Sequence, residues 1–203
     1  MANTMGFLQR INPRRLLADA QGIAAVEFAM IVPLMVTLFF GIVEFSQAMA
    51  SNRKVNYAAT MLVDLVSQEQ FLSEDDINGI YTAVEQVLEP YGIDNPTMWV
   101  TSITIDEDDK PIVDWSLNKD LSEPFARGSE FTALSEDELD LSGDDALITE
   151  GSSLIVAYIQ YPFTSSLANV MIETITFENH ATRWPRRSSN VVYCDGAGDC
   201  SDD

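Results

Sequence analysis

One segment of the chain departs from the ordinary mixing of apolar and polar positions. From Ile23 to Val43 every residue is apolar or small except Glu27 and Thr37. As a helix rising ~1.5 Å per residue it is roughly 31 Å long, about the thickness of a bilayer's hydrocarbon core. A core helix of a soluble protein that long carries a polar face, and this one has none. The pattern predicts a single transmembrane helix. A carboxylate at mid-membrane opposes insertion by on the order of 2.5–3.5 kcal/mol, and Glu27 lies near one end, where the cost falls. The Ile, Val, Leu and Phe side chains together favour insertion by roughly 4–7 kcal/mol, so insertion wins. Pro33 removes one helical hydrogen bond, a loss that membrane helices tolerate.

Beyond the span the period persists but the faces separate. Val55, Ala58, Ala59, Leu62, Leu65 and Val66 recur at helical spacing and predict a helix that continues with one apolar stripe. Ser73-Glu74-Asp75-Asp76 reads as a second helix start, with a capping serine and acids at the positive helix end. Ile77, Ile80, Tyr81, Val84, Val87 and Leu88 form its apolar face, and Pro90 and Gly92 end it. Met98–Asp106 then alternates and is rich in Val, Ile and Thr, as strands are. Ile112–Leu117 is its hairpin partner, with Trp115 packed on one face. Leu154–Phe163 and Ile175–Trp184 are two further strands. Lys119–Gly151 is a polar, acidic excursion, with one helical turn near Ser135–Leu139; it reads as a partner-binding insertion or a mobile loop.

The expected fold class is α+β, with a small antiparallel sheet and a second helix packed on the continuation of the N-terminal helix. The expected organisation is a basic leader at 1–22, a transmembrane helix at 23–45, its continuation at 46–72, an α+β domain at 73–187 and an acidic tail at 188–203.

Charge adds orientation. Arg10, Arg14 and Arg15 precede the span, with Asp19 against them, and basic flanks stay in the cytoplasm. Arg53 and Lys54 oppose this weakly, but long domains translocate largely regardless of charge. The N-terminus is therefore expected in the cytoplasm and the domain outside it. With a net charge of −21 over 203 residues, the chain is unsuited to nucleic acid, whose phosphates need clustered Lys and Arg. One histidine and no paired carboxylates in apolar surroundings leave little for acid–base chemistry, so neither an enzyme nor a cofactor is expected. Asp140–Asp145 lacks the glycine a calcium loop needs at its sixth position, and Glu150 comes one residue early. Those acids, and Asp106–Asp109, read as solvated surface, and no metal site is expected. Cys194 and Cys200 flank Asp195-Gly196-Ala197-Gly198-Asp199, and an oxidising compartment with a glycine-rich loop predicts a local disulfide between them.

The head of the span carries a motif. Gly22 ends the basic leader, Ile23 follows, and Glu27 and Phe28 stand five and six residues after the glycine. Cutting after Gly22 would free a positive α-amine on Ile23, and a carboxylate inside a membrane requires a partner. This pattern resembles the processing site of type IV prepilins and pseudopilins. The run Gln21-Gly22-Ile23-Ala24-Ala25-Val26-Glu27-Phe28-Ala29, then Pro33, then Gly41-Ile42-Val43-Glu44-Phe45 narrows the resemblance to TadE-like minor pseudopilins of tight-adherence (Flp-type) pilus systems. Members often carry an arginine two residues after that last phenylalanine, where this chain has Gln47. The resemblance implies cleavage after Gly22 by a prepilin peptidase, with Gly22, Ile23, Glu27 and Phe28 as the processing residues. It implies that Glu27 meets the N-terminal amine of a neighbouring subunit. It also implies a pilin-like domain, an inner-membrane position with the domain in the periplasm, and other pilins and the pilus assembly platform as partners. Gly41-Ile42-Val43-Glu44-Phe45 has no basic leader and the wrong glycine-to-acid spacing, so it is not read as a second cleavage site.

Two other readings stand beside this one. An uncleaved, membrane-anchored binding module would use its acidic domain to capture a cation or a basic partner. A secreted domain would be released at Ala48-Met49-Ala50, although the apolar stretch far exceeds the ~7–15 residues of a signal peptide.

Overall fold

A computed structural model of the chain describes residues 21–89, 96–107, 110–135, 139, 153–164 and 174–194. It divides into two compact units, Met1–Ser46 and Gln47–Asp203. Helix α1, Gln21–Val66, contributes to both. In the first unit α1 presents its apolar side chains outward, from Ile23 to Phe45. Thr37 adds a local bond, its hydroxyl donating to the Pro33 carbonyl at 2.9 Å.

In the second unit α1 has two faces. Val55, Ala58, Ala59, Leu62, Val63 and Val66 are wholly buried, a spacing of three and four that lines one side of a helix. The sequence pattern had Leu65 where the structure buries Val63; Leu65 is half-buried. The helix stops at Val66 because the next residues turn into β1, Phe71–Ser73, well inside the continuation expected to reach 72. Helix α2, Glu74–Leu88, starts where expected. The Ser73 hydroxyl accepts from the Asp76 backbone N–H, and the Asp76 carboxylate accepts from the Ser73 N–H at 3.1 Å, a capping box. The Ser73 hydroxyl also donates to that carboxylate at 2.6 Å, and this bond and the one from the Ser73 N–H hold the Asp76 carboxyl below its usual range. Ile77, Tyr81, Val84 and Leu88 form the buried face. Pro90 and Gly92 lie outside the described residues.

Four strands make the main sheet: β2 Thr97–Ile105, β3 Pro111–Asn118, β4 Ser153–Phe163 and β5 Ile175–Arg183. Their order is β3-β2-β4-β5, all antiparallel neighbours. The expected α+β class, with its second helix and small antiparallel sheet, holds. A second, two-stranded sheet joins β1 in parallel to β6, Val192–Cys194, and the sequence reading did not foresee it.

Strands β2, β3 and β4 carry a core on each face of the sheet. On one, Met98, Val100, Trp115, Leu117, Ile155, Ala157 and Ile159 pack with the buried stripes of α1 and α2. On the other, Ile103, Ile105, Val113, Leu154 and Val156 pack beneath Phe125, Phe131, Leu134 and Leu139. The first part of the acidic excursion is thus a lid on the sheet. It is pinned to β3 by bonds from Val113 N–H to Ser129, from Gly128 N–H to Val113 and from Phe131 N–H to Pro111. Leu139 N–H donates to the Ser135 carbonyl at 3.1 Å, the bond of one helical turn.

A β-bulge allows β3 to serve both cores. Ser102 pairs with Trp115 and Ile103 with Val113, so Asp114 is the extra residue. Val113 and Trp115, two apart, would share a face in a regular strand. The inserted residue turns Trp115 and Leu117 to the helices and leaves Val113 under the lid. The Asp114 carboxylate accepts from the hydroxyls of Ser102 at 3.0 Å and Thr104 at 2.6 Å. Burial still pushes its carboxyl upward, against those hydrogen bonds and the nearby charge of Arg127.

Candidate functional site

The residues singled out by sequence lie at the head of α1. Gly22, Ile23, Glu27 and Phe28 are all exposed. A methyl group added to Gly22 would meet nothing within 4 Å, so nothing in this fold requires glycine there. Ile23 is exposed among apolar neighbours, and Phe28 is 69% exposed. Glu27 and Ile23 are four apart on the helix, so they share a face. The leader, 1–20, lies outside the described residues.

Among the described residues one helix is long and apolar enough to cross a membrane, and its most apolar eighteen-residue stretch buries nothing. An apolar surface left bare in this way has a solvent other than water as its physical complement.

Glu44 is the residue that sequence reasoning passed over. Its neighbours Phe45 and Ile42 are exposed, yet Glu44 is only 8% exposed, and its Oε2 has no hydrogen-bond partner. The sequence named it only as part of a second, non-processing motif. Burial of one carboxylate among exposed apolar positions has no signature in a single sequence.

The remaining candidates fare as follows. Cys194 is disulfide-bonded; Cys200, the chain's other cysteine, lies outside the described residues. Asp106 closes the β2–β3 turn, its carboxylate accepting from the Lys110 N–H at 2.8 Å. Asp108 and Asp109, and the Asp140–Asp145 and Glu150 acids, lie outside the described residues. Among the described residues no group of three or more His, Cys, Asp or Glu side chains is placed to hold a metal ion. His180 sits in β5 of the four-stranded sheet and Cys194 in β6 of the two-stranded one.

Comparison with curated proteins and with solved structures gives no match. A family model does match: residues 22–63 fit that of the TadE-like proteins. The match opens at the glycine that ends the basic leader and closes near the end of α1. It takes in Glu27, Pro33, Glu44 and most of the stripe on which the domain packs. A bare apolar helix in that family context supports a membrane-anchored protein. Over residues 22–63, therefore, the chain is similar to the TadE-like proteins.

Proposed function

We propose that the chain is a minor pseudopilin that takes part in assembling a tight-adherence pilus, and that a prepilin peptidase removes Met1–Gly22. The observation that carries this reading is the start of the family match at Gly22, between a basic leader and the only long apolar helix described. Cleavage there leaves Ile23 with a charged amine, one helical turn from Glu27. In a stack of parallel helices, the amine of one subunit then neutralises Glu27 of the next. Each charge removes the other's cost of sitting in hydrocarbon. Ala24, Ala25 and Gly41 let the helices approach closely. The basic leader keeps the N-terminus in the cytoplasm, and the acidic domain stands in the periplasm of a bacterial inner membrane. The protein acts in initiating or capping the fibre, with other pilins and the assembly platform as partners. It works as a structural component and needs no cofactor.

N-terminal sequencing of the mature protein, with and without the peptidase, tests this. The expected start is Ile23, dependent on the peptidase and lost in Gly22→Ala. The space around Gly22 makes that variant informative, because a methyl group there disturbs no packing. A start at Met1 in the presence of the peptidase overturns the processing claim and leaves an anchored binding module. A start at Ser51 makes the helix a cleaved signal.

A further inference from the structure

The two edges of the main sheet are treated differently. The outer edge of β3 is occupied by Gly128–Phe131, through the three bonds given above and a bridge between Ile112 and Glu130. The outer edge of β5 is open: among the described residues, its backbone makes no hydrogen bond other than those to β4. β5 runs nine residues with no proline and no bulge, the devices that usually guard an edge. Its inward side is fixed, because Asn179 bonds the Asn52 and Asn56 side chains of α1 and Ala181 packs on the helix-side core.

A cleft of about 490 Å³ borders this edge on the opposite face. Trp99 and Tyr158, directly paired across β2 and β4, form its floor, stacked with centroids 5.0 Å apart. Phe125, Ala133 and Leu134 of the lid make one wall. Glu178 and His180 of β5 make the other. Glu178 accepts from Gln160 Nε2 at 3.0 Å, and its charge adds to burial in pushing the Tyr158 phenol upward. The Gln160 amide holds the carboxylate in place, and no basic side chain pairs with it among the described residues. An aromatic floor beside a positioned, unneutralised carboxylate is complementary to an ammonium or guanidinium group.

We infer that β5 and this cleft together form one docking surface for an extended segment of a partner protein, added as a fifth strand with a Lys or Arg side chain in the cleft. A strand laid along β5 directs every second side chain to the face that carries Glu178 and His180. Main-chain bonds to the edge supply affinity, and the cleft selects the residue, as in other strand-addition complexes. The net charge of −21 adds a long-range pull on a basic segment. This surface belongs to the outer domain and does not depend on processing at Gly22.

The test uses the full chain in detergent micelles and two alternating Thr/Val peptides the length of β5. One carries a central arginine and the other citrulline, its neutral isostere. The arginine peptide should bind about tenfold more tightly or better, with tryptophan fluorescence as the readout. Glu178→Gln should remove that preference and leave citrulline-peptide binding unchanged. On binding, every second backbone amide of Ile175–Arg183, those facing away from β4, should gain protection from hydrogen exchange. Equal binding of the two peptides overturns cation recognition. Unprotected β5 amides overturn strand addition. Absence of binding up to about 1 mM, or self-pairing of β5 between copies, overturns the proposal as a whole. A third peptide with glutamate at the centre keeps the test independent of any variant's folding, because it should not bind the native chain.

Discussion

Leu62→Ala is the substitution that most directly probes how α1 serves the outer domain. Leu62 is wholly buried in the core shared by α1, α2 and the sheet. Truncation removes about three carbons, worth roughly 2.4 kcal/mol at ~0.8 kcal/mol per buried methylene. The void left behind adds about 24 cal/mol per Å³ that the neighbours fail to fill, so the total is about 3–5 kcal/mol. Buried members of the same core on three elements, Val66, Tyr81 and Ile155 among them, limit how far the core collapses and favour the upper part of that range. Tyr57, on the same stretch of helix, is 58% exposed, and Tyr57→Ala should change stability by no more than about 0.5 kcal/mol. Thermal melts of the full chain in detergent, followed by near-ultraviolet circular dichroism of the sheet tryptophans, read both variants. A domain of this size loses about 2–4 °C per kcal/mol, so Leu62→Ala should lower the midpoint by roughly 6–20 °C and Tyr57→Ala by about 2 °C at most. Equal shifts in the two variants, or a Leu62→Ala loss under about 1 kcal/mol, would refute the two-faced reading of α1.

Other outcomes follow from single contacts. Ser73→Ala removes the cap of α2 and should cost about 1 kcal/mol in denaturant titrations at neutral pH. Because the folded-state carboxyl of Asp76 is held low, its share of the cap is present above the ordinary aspartate range and is lost as pH falls through the lowered value. The gap between the native chain and Ser73→Ala should therefore narrow at acid pH, leaving the bond from the Asp76 N–H to the Ser73 hydroxyl as the remainder. Asp114 has the opposite sign: its carboxyl is raised, so its favourable contribution is full below the ordinary range and lost as pH rises through the raised value. Asp114→Asn keeps an acceptor for Ser102 and Thr104, and should melt above the native chain at pH 7, with the gap closing toward about pH 4. Trp115→Phe breaks the bond from its indole N–H to the buried Val191 carbonyl, 2.6 Å long. It should cost about 1–2 kcal/mol and speed hydrogen exchange at Val191–Cys194 ahead of the main sheet.

Much of the N-terminal helix was legible because its signals are contiguous. Gly22, Ile23, Glu27 and Phe28 stand in one run, and a membrane span declares itself by length and apolarity alone. The α2 cap and the four long strands were legible for the same reason, since caps and alternation are local patterns. The edges of elements shifted by a residue or two, with β4 opening at Ser153 and β5 closing at Arg183. The docking cleft was not legible: Trp99, Tyr158, Glu178 and His180 come from three strands that meet only after the order β3-β2-β4-β5 is set.

The sequence by itself determined the two helices, the four long strands and the apolar span, because each is fixed by the period of its own apolar residues. Tertiary structure decided what those segments do to one another. Residues 119–139 read as a polar excursion because their few apolar side chains, Phe125, Phe131, Leu134 and Leu139, have no period; on the sheet they close a second core. The β1–β6 pair joins segments of three residues, too short for any alternation to register. At Asp114 one extra residue switches β3 between two cores, and its register depends on Ser102 and Thr104 in the neighbouring strand. A single strand's sequence carries its own alternation but not the pairing partner against which a residue becomes extra.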